Sequence, residues 1–479
     1  MKYRLGDICT ITKGATGIMK AVPGPYPMVT LAEERKQHDE YQFDAAAVIV
    51  PLISSTGHGH ASIKRIHYQE GKFALGTILC AVIPKDEALL NPRYLFVYLQ
   101  QFKDSVLVPL MKGAANVSLP LNKLAALKIE VPTLAKQQEV IDLAHVLTGH
   151  RNDLETLLNA QKADTVKLRQ ALLREAMQGQ LLPQDPTDEP ATQLLKKLQA
   201  AKAATGKGAK GKAGTLFTEE VEEVEGLHEI PESWVWCTLD SICNQITDGA
   251  HHTPDYKESG VPFLSVKDIS NGFINFSNTK YISSKSHEEL IKRCNPEHGD
   301  VLLTKIGTTG VAKVIDSHEP FSIFVSVCLL KFNQDLISGK FLEFLINSPF
   351  VRKQSFDGTW GVGNKNLVLK TIKKFVLCLP PLAEQHRIAA KLEQLLQHCD
   401  ALEQRIRESR RLAEQLLQTA LREALAPPGG TEPSEETASE SIEVEPASPA
   451  PRRGRPLKKR LAANDPDLFS ELADLFGVE

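Results

Sequence analysis

The chain has 479 residues, of which 42% are hydrophobic and 24% charged, and a formal net charge of −3; these values are ordinary for a globular protein of about three domains. The sequence has no run of about 18 apolar residues that would predict a membrane span, and its start lacks the apolar core of a signal peptide. We therefore expect a cytoplasmic protein. Its eight cysteines form no CxxC pair, so we expect no zinc site.

Residues 1–131 predict an α+β domain. Val48–Val50 and Thr77–Ile83 are short apolar runs rich in β-branched residues, which favour strands. Ser54–Ser62, which lies between them, is rich in glycine and hydroxyl groups and is typical of a polar loop. Pro92–Leu99 predicts a helix with proline in its first turn.

A long repeat follows, because residues 132–177 align without a gap with residues 380–425 at an offset of 248. In both copies, mostly apolar residues recur at alternating intervals of four and three residues, which places them on one stripe of a helix. Such a stripe, here called the seam, predicts a long helix that packs along another helix. We therefore assign residues 132–182 and 380–427 to two long spacer helices. The predicted seam of the second copy is Ile388, Leu392, Leu395, Cys399, Leu402, Ile406, Ser409, Ala413, Leu416 and Ala420.

Residues 183–226 differ in composition from both neighbours. The segment begins with three prolines, offers one short helix from Thr192 to Ala204, and passes through the glycine- and lysine-rich stretch Gly206–Lys212 into a run of glutamates. Such a composition buries little apolar surface, so we predict a flexible linker.

Residues 227–379 repeat the plan of the first domain. The predicted strand Val301–Thr304 leads through the polar turn Lys305–Gly310 into a second strand, Val311–Val314. The offset of 248 also relates Gly113 to Gly361. The two domains share a framework of predicted strands and helices but differ in their loops. This indicates two copies of one module that bind different versions of one ligand.

Residues 428–479 predict a mostly disordered tail, because they are rich in proline, serine and glutamate. The tail has eleven acidic and six basic residues, which leaves the rest of the chain at a net +2 and permits DNA binding. Arg453 and Arg455, with Gly454 between them, resemble the core of an AT-hook that enters a narrow minor groove; a simple basic stretch is the alternative. The closing amphipathic piece Leu468–Phe476 is expected to dock on a partner subunit.

Three possible enzyme or metal signatures fail on inspection. Gly206–Lys212 has the spacing of a phosphate-binding loop, but Ala213 replaces the serine or threonine that would hold magnesium. Asn347–Phe350 is similar to the methyltransferase tetrapeptide Asn-Pro-Pro-Phe, yet its second residue is serine. His251 and His252 lack a metal-ligand spacing. We therefore predict a non-catalytic chain that binds no metal and no cofactor of its own.

Polar loops on rigid α+β frames remain as candidate DNA contacts. Lysine and arginine neutralise phosphates, while serine, threonine, asparagine and histidine contact phosphates or base edges. Each candidate is equally well explained as a solvated loop side chain. The candidates are Ser54, Ser55, His58, His60, Lys64 and Arg65 in the first domain, and Lys305, Thr308, Thr309, Lys313, Asn364 and Lys365 in the second.

These features together resemble the specificity subunits of type I restriction-modification systems. The resemblance covers residues 1–426 and depends on the duplicated helix starts Pro132–Gln138 and Pro380–His386, and on Thr247–Pro254, which is similar to a segment of one class of target recognition domain. It implies two target recognition domains that each read one half of a split DNA site, and two antiparallel helices that fix the gap between the halves.

The resemblance also implies partners. Two adenine methyltransferase subunits and motor-nuclease subunits would bind this chain and use S-adenosylmethionine, ATP and magnesium themselves, and double-stranded DNA would be the ligand. Two other functions fit less well: an enzyme that methylates or cuts DNA alone, and a coiled-coil scaffold that binds only proteins.

Overall fold

The computed structural model describes residues 1–17, 22–55, 60–113, 117–204, 227–361 and 365–426. They divide into two compact units. Among the described residues, the first unit comprises Met1–Ala160 together with the chain from Ile406 to Ala426, and the second comprises the part between Gln161 and Arg405. Within the described ranges, no helix is both long and apolar enough to cross a membrane.

The first unit is an α+β domain with a buried central sheet. Its elements are β1 (Lys2–Arg4), α1 (Leu5–Ile8), β2 (Cys9–Lys13), β3 (Tyr26–Val29), β4 (Lys36–His38), β5 (Phe43–Asp44), β6 (Ala47–Pro51), β7 (His67–Gln69), β8 (Lys72–Leu75), β9 (Leu79–Pro84), α2 (Pro92–Phe102), α3 (Leu121–Ala125), β10 (Lys128–Glu130) and the start of α4 (Leu134–Met177). The central sheet has the order β2-β9-β6-β7 and is antiparallel. All five residues of β6 are buried, as expected for an apolar β-branched run.

The second unit repeats this plan. Its elements are α5 (Ala191–Ala204), β11 (Val235–Thr238), α6 (Leu239–Ile242), β12 (Cys243–Asp248), β13 (Val261–Leu264), β14 (Lys280–Ile282), α7 (Ser284–Ile291), β15 (Val301–Thr304), β16 (Ala312–Val314), β17 (Ser322–Ile323), β18 (Val327–Phe332), α8 (Gly339–Asn347), α9 (Pro349–Asp357), β19 (Thr359–Trp360), β20 (Asn366–Leu367), α10 (Leu369–Lys373), β21 (Val376–Leu379) and the start of α11 (Leu382–Leu425). The sheet order β12-β18-β15-β16 matches β2-β9-β6-β7. The predicted duplication is therefore present in the strand order as well as in the sequence.

The two long helices, α4 and α11, each contain 44 residues, and both of their ends are related by the offset of 248. They run antiparallel within each unit. In the first unit, Arg410 contacts Glu155 at 3.1 Å and Asn159 at 2.6 Å. In the second, Arg169 binds Asp400 and Glu403.

The predicted apolar seam of α11 is confirmed at five positions and wrong at two. Ile388, Leu392, Leu395, Cys399 and Ile406 are buried, whereas Leu402 and Leu416 are 38% and 70% exposed. A straight helix has about 3.6 residues per turn, so a stripe spaced every 3.5 residues rotates away from its partner by about 20° per heptad. This rotation accumulates along the helix, so exposure is expected late in the stripe, where Leu416 lies.

A buried glutamine fixes the start of each long helix to its domain. Gln137 Oε1 accepts a hydrogen bond from the backbone N–H of Asn91 (2.8 Å), which caps α2, and its Nε2 donates to the carbonyl of Leu89 (2.9 Å). At the equivalent position, Gln385 accepts from the N–H of Ser338 (3.0 Å), which caps α8. Both glutamines are fully buried. The Gln of the duplicated motif thus joins two helix starts in each unit.

The prediction that residues 183–226 bury little is wrong for their first half. Helix α5 presents four fully buried side chains to the core of the second unit. These are Ala191, Leu194, Leu195 and Leu198, whose spacing forms one apolar stripe of a helix. Sequence composition missed this because the stripe is short and flanked by polar and charged residues. Residues 205–226 and the predicted disordered tail lie outside the described residues.

Candidate nucleic-acid interface

A polar loop leaves the buried strand β6 in the first unit and is fixed by two backbone hydrogen bonds. The N–H of Ser54 donates to the carbonyl of Val117 at 2.9 Å, and the N–H of Leu119 donates to the carbonyl of Leu52 at 2.8 Å. The loop is therefore held against residues 117–119, which lie about sixty positions later in the chain.

The second unit fixes its loop after β15 in the same way. The N–H of Gly307 donates to the carbonyl of Lys365 at 2.9 Å, and the N–H of Leu367 donates to the carbonyl of Lys305 at 2.7 Å. Residues 365 and 367 are the equivalents of 117 and 119 at the offset of 248. The duplication therefore preserves how the two loops are anchored, while their side chains differ.

One glycine in each unit permits this anchoring. Gly113 has a φ of +129° and Gly361 a φ of +109°, which is a backbone conformation that glycine adopts at low cost and other residues rarely adopt. The two glycines are equivalent at the offset of 248. Both lead into the segments that hold the polar loops.

The serine candidates of the first unit shape the loop. Ser54 Oγ donates to the carbonyl of His60 at 2.5 Å and accepts from the N–H of Ser62 at 3.1 Å. Ser55 Oγ accepts from the N–H of Lys64 at 2.9 Å. The structure therefore brings Ser54, Ser55, His60 and Lys64 together, with the side chains of His60 and Lys64 exposed. His58 lies outside the described residues.

Arg65 belongs to a second basic group that the sequence did not indicate. Its guanidinium forms an ion pair with Glu33 at 2.7 Å. Beside it, Arg35 donates to Gln69 Oε1 at 3.0 Å and approaches His67 Nδ1 at 3.3 Å. Burial, followed by the charge of Arg65, lowers the pKa of Arg35. Arg35 was missed because strand β4, which follows it, is short and largely polar.

His67 is buried beneath these arginines and is uncharged. Burial, with the positive charges of Arg35 and Arg65, lowers the pKa of His67 to about 4. The Nδ1 atom accepts from Arg35, and among the described residues its Nε2 has no hydrogen-bond partner. The neutral ring therefore helps to hold Arg35 beside the loop.

We expect the first unit to lose stability as the pH falls from about 6.5 to about 4. An unfolded histidine takes up a proton below about 6.5, whereas folded His67 does so only near 4, so the unfolded state binds more protons in this window. The loss should reach roughly 3 kcal/mol in the free energy of unfolding. Urea unfolding at pH 7 and 4.5 measures it. His67→Gln should flatten the dependence and His145→Gln, at an exposed position of α4, should not; equal slopes in the two variants would refute the assignment.

Lys305 in the second unit is not a surface residue, and its prediction as a DNA contact is wrong. Its side chain is buried, and its Nζ donates to Asp248 Oδ2 at 2.9 Å. Arg293 and His251 bind the other oxygen of Asp248. Burial raises the pKa of Asp248, but the hydrogen bonds and charges of Lys305 and His251 outweigh it, so that pKa is lowered overall. The charged side chain of Lys305, which follows β15, therefore forms an ion pair inside the unit and does not face solvent.

Lys313 is also engaged within the unit. Its ammonium lies 3.2 Å from Glu343, and both side chains are largely buried. This contact fixes β16 to α8, so the charge of Lys313 is balanced within the unit, and its contact with DNA stays a prediction. Thr308 is exposed, and the hydroxyl of Thr309 lies 3.4 Å from that of Thr359.

A basic and aromatic surface lies beside this turn. The Lys365 ammonium sits 4.9 Å from the centre of the Phe356 ring, and Phe356 is 69% exposed. Arg352 donates to the carbonyl of Thr309 at 3.0 Å. Together with Thr308 these side chains form what we call the α9 surface. A cation over an exposed ring can bind phosphate while the ring stacks on a base.

Several predicted features cannot be placed. Asn364, Arg453, Arg455 and the segment Leu468–Phe476 lie outside the described residues. Within the described residues, no group of histidine, cysteine, aspartate and glutamate is arranged to hold a metal ion. His251, which had suggested a metal, instead binds Asp248 at 3.0 Å.

Comparison with known proteins links both units to one family. The family model described as "Type I restriction modification DNA specificity domain" matches residues 1–161 and 231–409. The type I restriction enzyme EcoAI specificity subunit of Escherichia coli is 28% identical over 275 residues, which is 56% of this chain and 46% of that protein. The EcoBI specificity subunit of Escherichia coli is 27% identical over 62% of this chain and 57% of its own length. The chain thus spans about half the length of these relatives.

One solved structure shows the same fold. A chain in a structure that concerns complex assembly and conformational transition of the type I R-M system aligns with a TM-score of 0.60 at 17% identity. The alignment covers 89% of this chain and 97% of that one.

Proposed function

Because this chain belongs to the family of type I restriction modification DNA specificity domains, we propose that it is the DNA-recognition subunit of a type I restriction-modification complex. Each unit contributes one target recognition domain, and each domain reads one half of a bipartite DNA site. The chain itself is not a catalyst. It directs adenine methylation or cleavage that other subunits carry out.

The observation that carries this proposal is the pair of equivalent loops with different side chains. Each loop is held by an equivalent pair of backbone hydrogen bonds, which involve the segment at Val117 in the first unit and the segment at Lys365 in the second. The first loop presents His60 and Lys64; the second presents Thr308, and Lys365 on its anchoring segment lies beside Phe356. Two copies of one frame with different polar side chains suit a ligand whose halves share a backbone and differ in sequence.

The domain organisation that we propose follows the sequence prediction with one change. Residues 183–204, whose composition predicts a linker, belong with the second recognition domain, because α5 lies in its core. The assigned ranges are target recognition domain 1 in 1–131, spacer helix 1 in 132–182, the second recognition domain in 183–204 and 227–379, linker in 205–226, spacer helix 2 in 380–427 and the tail in 428–479.

The partners that we propose are double-stranded DNA, two methyltransferase subunits and motor-nuclease subunits. S-adenosylmethionine, ATP and magnesium would be bound by those subunits and not by this chain. The complex would act in the cytoplasm, where its DNA is. Methylome sequencing of cells that carry the system would identify the two half-sites and the spacer between them.

Lys365→Gln should weaken DNA binding in a salt-dependent way. If the ammonium contacts a phosphate, its loss should reduce the slope of log affinity against log salt concentration by about one. The measurement is a fluorescence-anisotropy titration of the reconstituted complex on a target duplex at several salt concentrations. Lys167→Gln removes the same charge from an exposed ion pair on α4 and serves as the control.

Three outcomes would count against this function. A slope unchanged by Lys365→Gln but reduced by Lys167→Gln would place the interface elsewhere. Binding that does not weaken as salt rises would favour a protein-binding scaffold, because phosphate contacts must respond to salt. Transfer of labelled methyl groups to DNA by the purified chain alone would instead indicate an enzyme.

A further inference from the structure

An open apolar groove lies in the first unit, beside the C-terminal end of α11. Its volume is about 870 Å³. Tyr94 and Val140 line it and are buried, whereas Tyr3 and Leu425 are only partly buried. The described chain ends at Ala426, which itself lines the groove. Residues 427–479 therefore continue from the edge of an apolar surface that no described residue covers.

The equivalent place in the second unit is covered. Ala176 and Met177 correspond to Ala424 and Leu425 at the offset of 248, and they are 0% and 2% exposed. The cover is the chain that follows α4, since Leu181 and the apolar stripe of α5 belong to the same core cluster as Ala176 and Met177. The second unit therefore shows that the chain after its long helix packs on this surface.

The end of the tail repeats the apolar spacing of that cover. Helix α5 buries residues at positions i, i+3, i+4 and i+7, which are Ala191, Leu194, Leu195 and Leu198. The same intervals separate Phe469, Leu472, Ala473 and Phe476. This spacing places four apolar side chains on one face of a helix. The tail therefore contains a second segment with the pattern that covers the groove in the other unit.

One side chain of the groove differs in charge from its equivalent in the second unit. There, Glu384 accepts hydrogen bonds from Gln184 (2.6 Å), which lies in the cover, and from Trp234 (2.8 Å), which precedes β11. The first unit has Lys136 at the position of Glu384; Lys136 lines the groove together with Glu130 and Glu423, and it forms an ion pair with Glu139 at 3.0 Å. The charges at the groove are therefore mixed, and the tail matches the groove in apolar spacing and reach instead of in charge.

We propose that residues Leu468–Phe476 dock in this groove of their own chain. Forty-two residues separate Ala426 from Phe469, compared with thirteen between Met177 and Ala191, so the tail is long enough to return to a groove at its own origin. The two ends of the intervening segment would then be fixed on the first unit. This placement differs from the sequence-based expectation that the segment binds a partner subunit.

Hydrogen exchange on the full chain tests the proposal. In the double variant Phe469→Asp and Leu472→Asp, we expect amides of residues 422–426 and 1–5 to exchange about tenfold faster than in the parent chain. Ser470→Asp places one of these two negative charges on the polar face of the segment and should leave these rates unchanged. A labelled peptide of residues 465–479 should bind the double variant and should not bind the parent chain, whose groove is already filled.

Other occupants give different results. Equal exchange rates in the parent chain and the double variant would show that the tail does not cover the groove and would overturn the proposal. So would protection that depends on protein concentration, which indicates a second copy, or protection that develops only after a methyltransferase subunit is added. Protection that is independent of concentration and lost in the double variant supports the proposal.

Discussion

Replacing Asp248 with asparagine should destabilise the second unit by about 3–5 kcal/mol, because it leaves a buried ammonium without its counter-charge. Lys305 and Asp248 are 5% and 2% exposed, so water cannot replace the lost partner. The backbone carbonyl of Lys305 anchors Leu367, and the loop after β15 should loosen together with the lysine. Thermal unfolding measures the stability loss, and hydrogen exchange of residues 301–310 measures the loosening.

A double-mutant cycle isolates the ion pair. Lys305→Met combined with Asp248→Asn removes both charges, so it should recover part of the stability that Asp248→Asn loses. Lys353→Ala breaks the exposed pair with Asp357 and should change the free energy of unfolding by less than about 1 kcal/mol. Equal losses in the single and double variants would mean that Asp248 acts through Arg293 and His251 instead of Lys305.

The sequence predicted the repeated frame accurately, because the repeat is local and periodic. The aligned copies were placed at residues 132–177 and 380–425, and the helices occupy Leu134–Met177 and Leu382–Leu425. The strands at Val48–Val50 and Val301–Thr304 were also correct. Apolar periodicity and composition depend on neighbouring residues, so a single sequence reveals them.

The candidate interface was predicted less well, because exposure depends on residues far apart in the chain. Lys305 and Lys313 are lysines in a polar turn, which predicts solvent exposure. Each meets a buried carboxylate, Asp248 or Glu343, 57 or 30 positions away, and no local pattern reveals such a pairing. Phe356 was missed for the converse reason, since an aromatic residue on a helix is ordinarily expected in a core.

The cover of the second unit illustrates the same limit. Helix α5 was predicted from Thr192 to Ala204 and found at Ala191–Ala204, yet the sequence did not indicate what it packs against. That information comes from the duplication. Because the two units share one plan, the covered surface in the second unit identifies the equivalent surface of the first, which the described part of the chain leaves open. Internal repeats therefore permit an inference about packing that a single domain would not.

Deleting four residues from the middle of a long helix should change the spacer of the DNA site and leave both half-sites intact. Each helix passes from one compact unit into the other, so its length bears on where the two recognition domains bind. One turn shortens a helix by about 5.4 Å, and DNA rises about 3.4 Å per base pair. Removal of residues 160–163 should therefore shorten the spacer by about one or two base pairs.

A control variant separates the effect of helix length from the effect of the side chains. Gln161→Ala with Lys162→Ala keeps all four residues in place and makes them alanine, since Ala160 and Ala163 flank them; methylome sequencing should return the original spacer for this variant. The equivalent deletion at residues 408–411 of α11 should shift the spacer in the same direction. If either deletion altered a half-site while the spacer stayed constant, the helices would not set the separation, and the loops would have to account for both properties of the site.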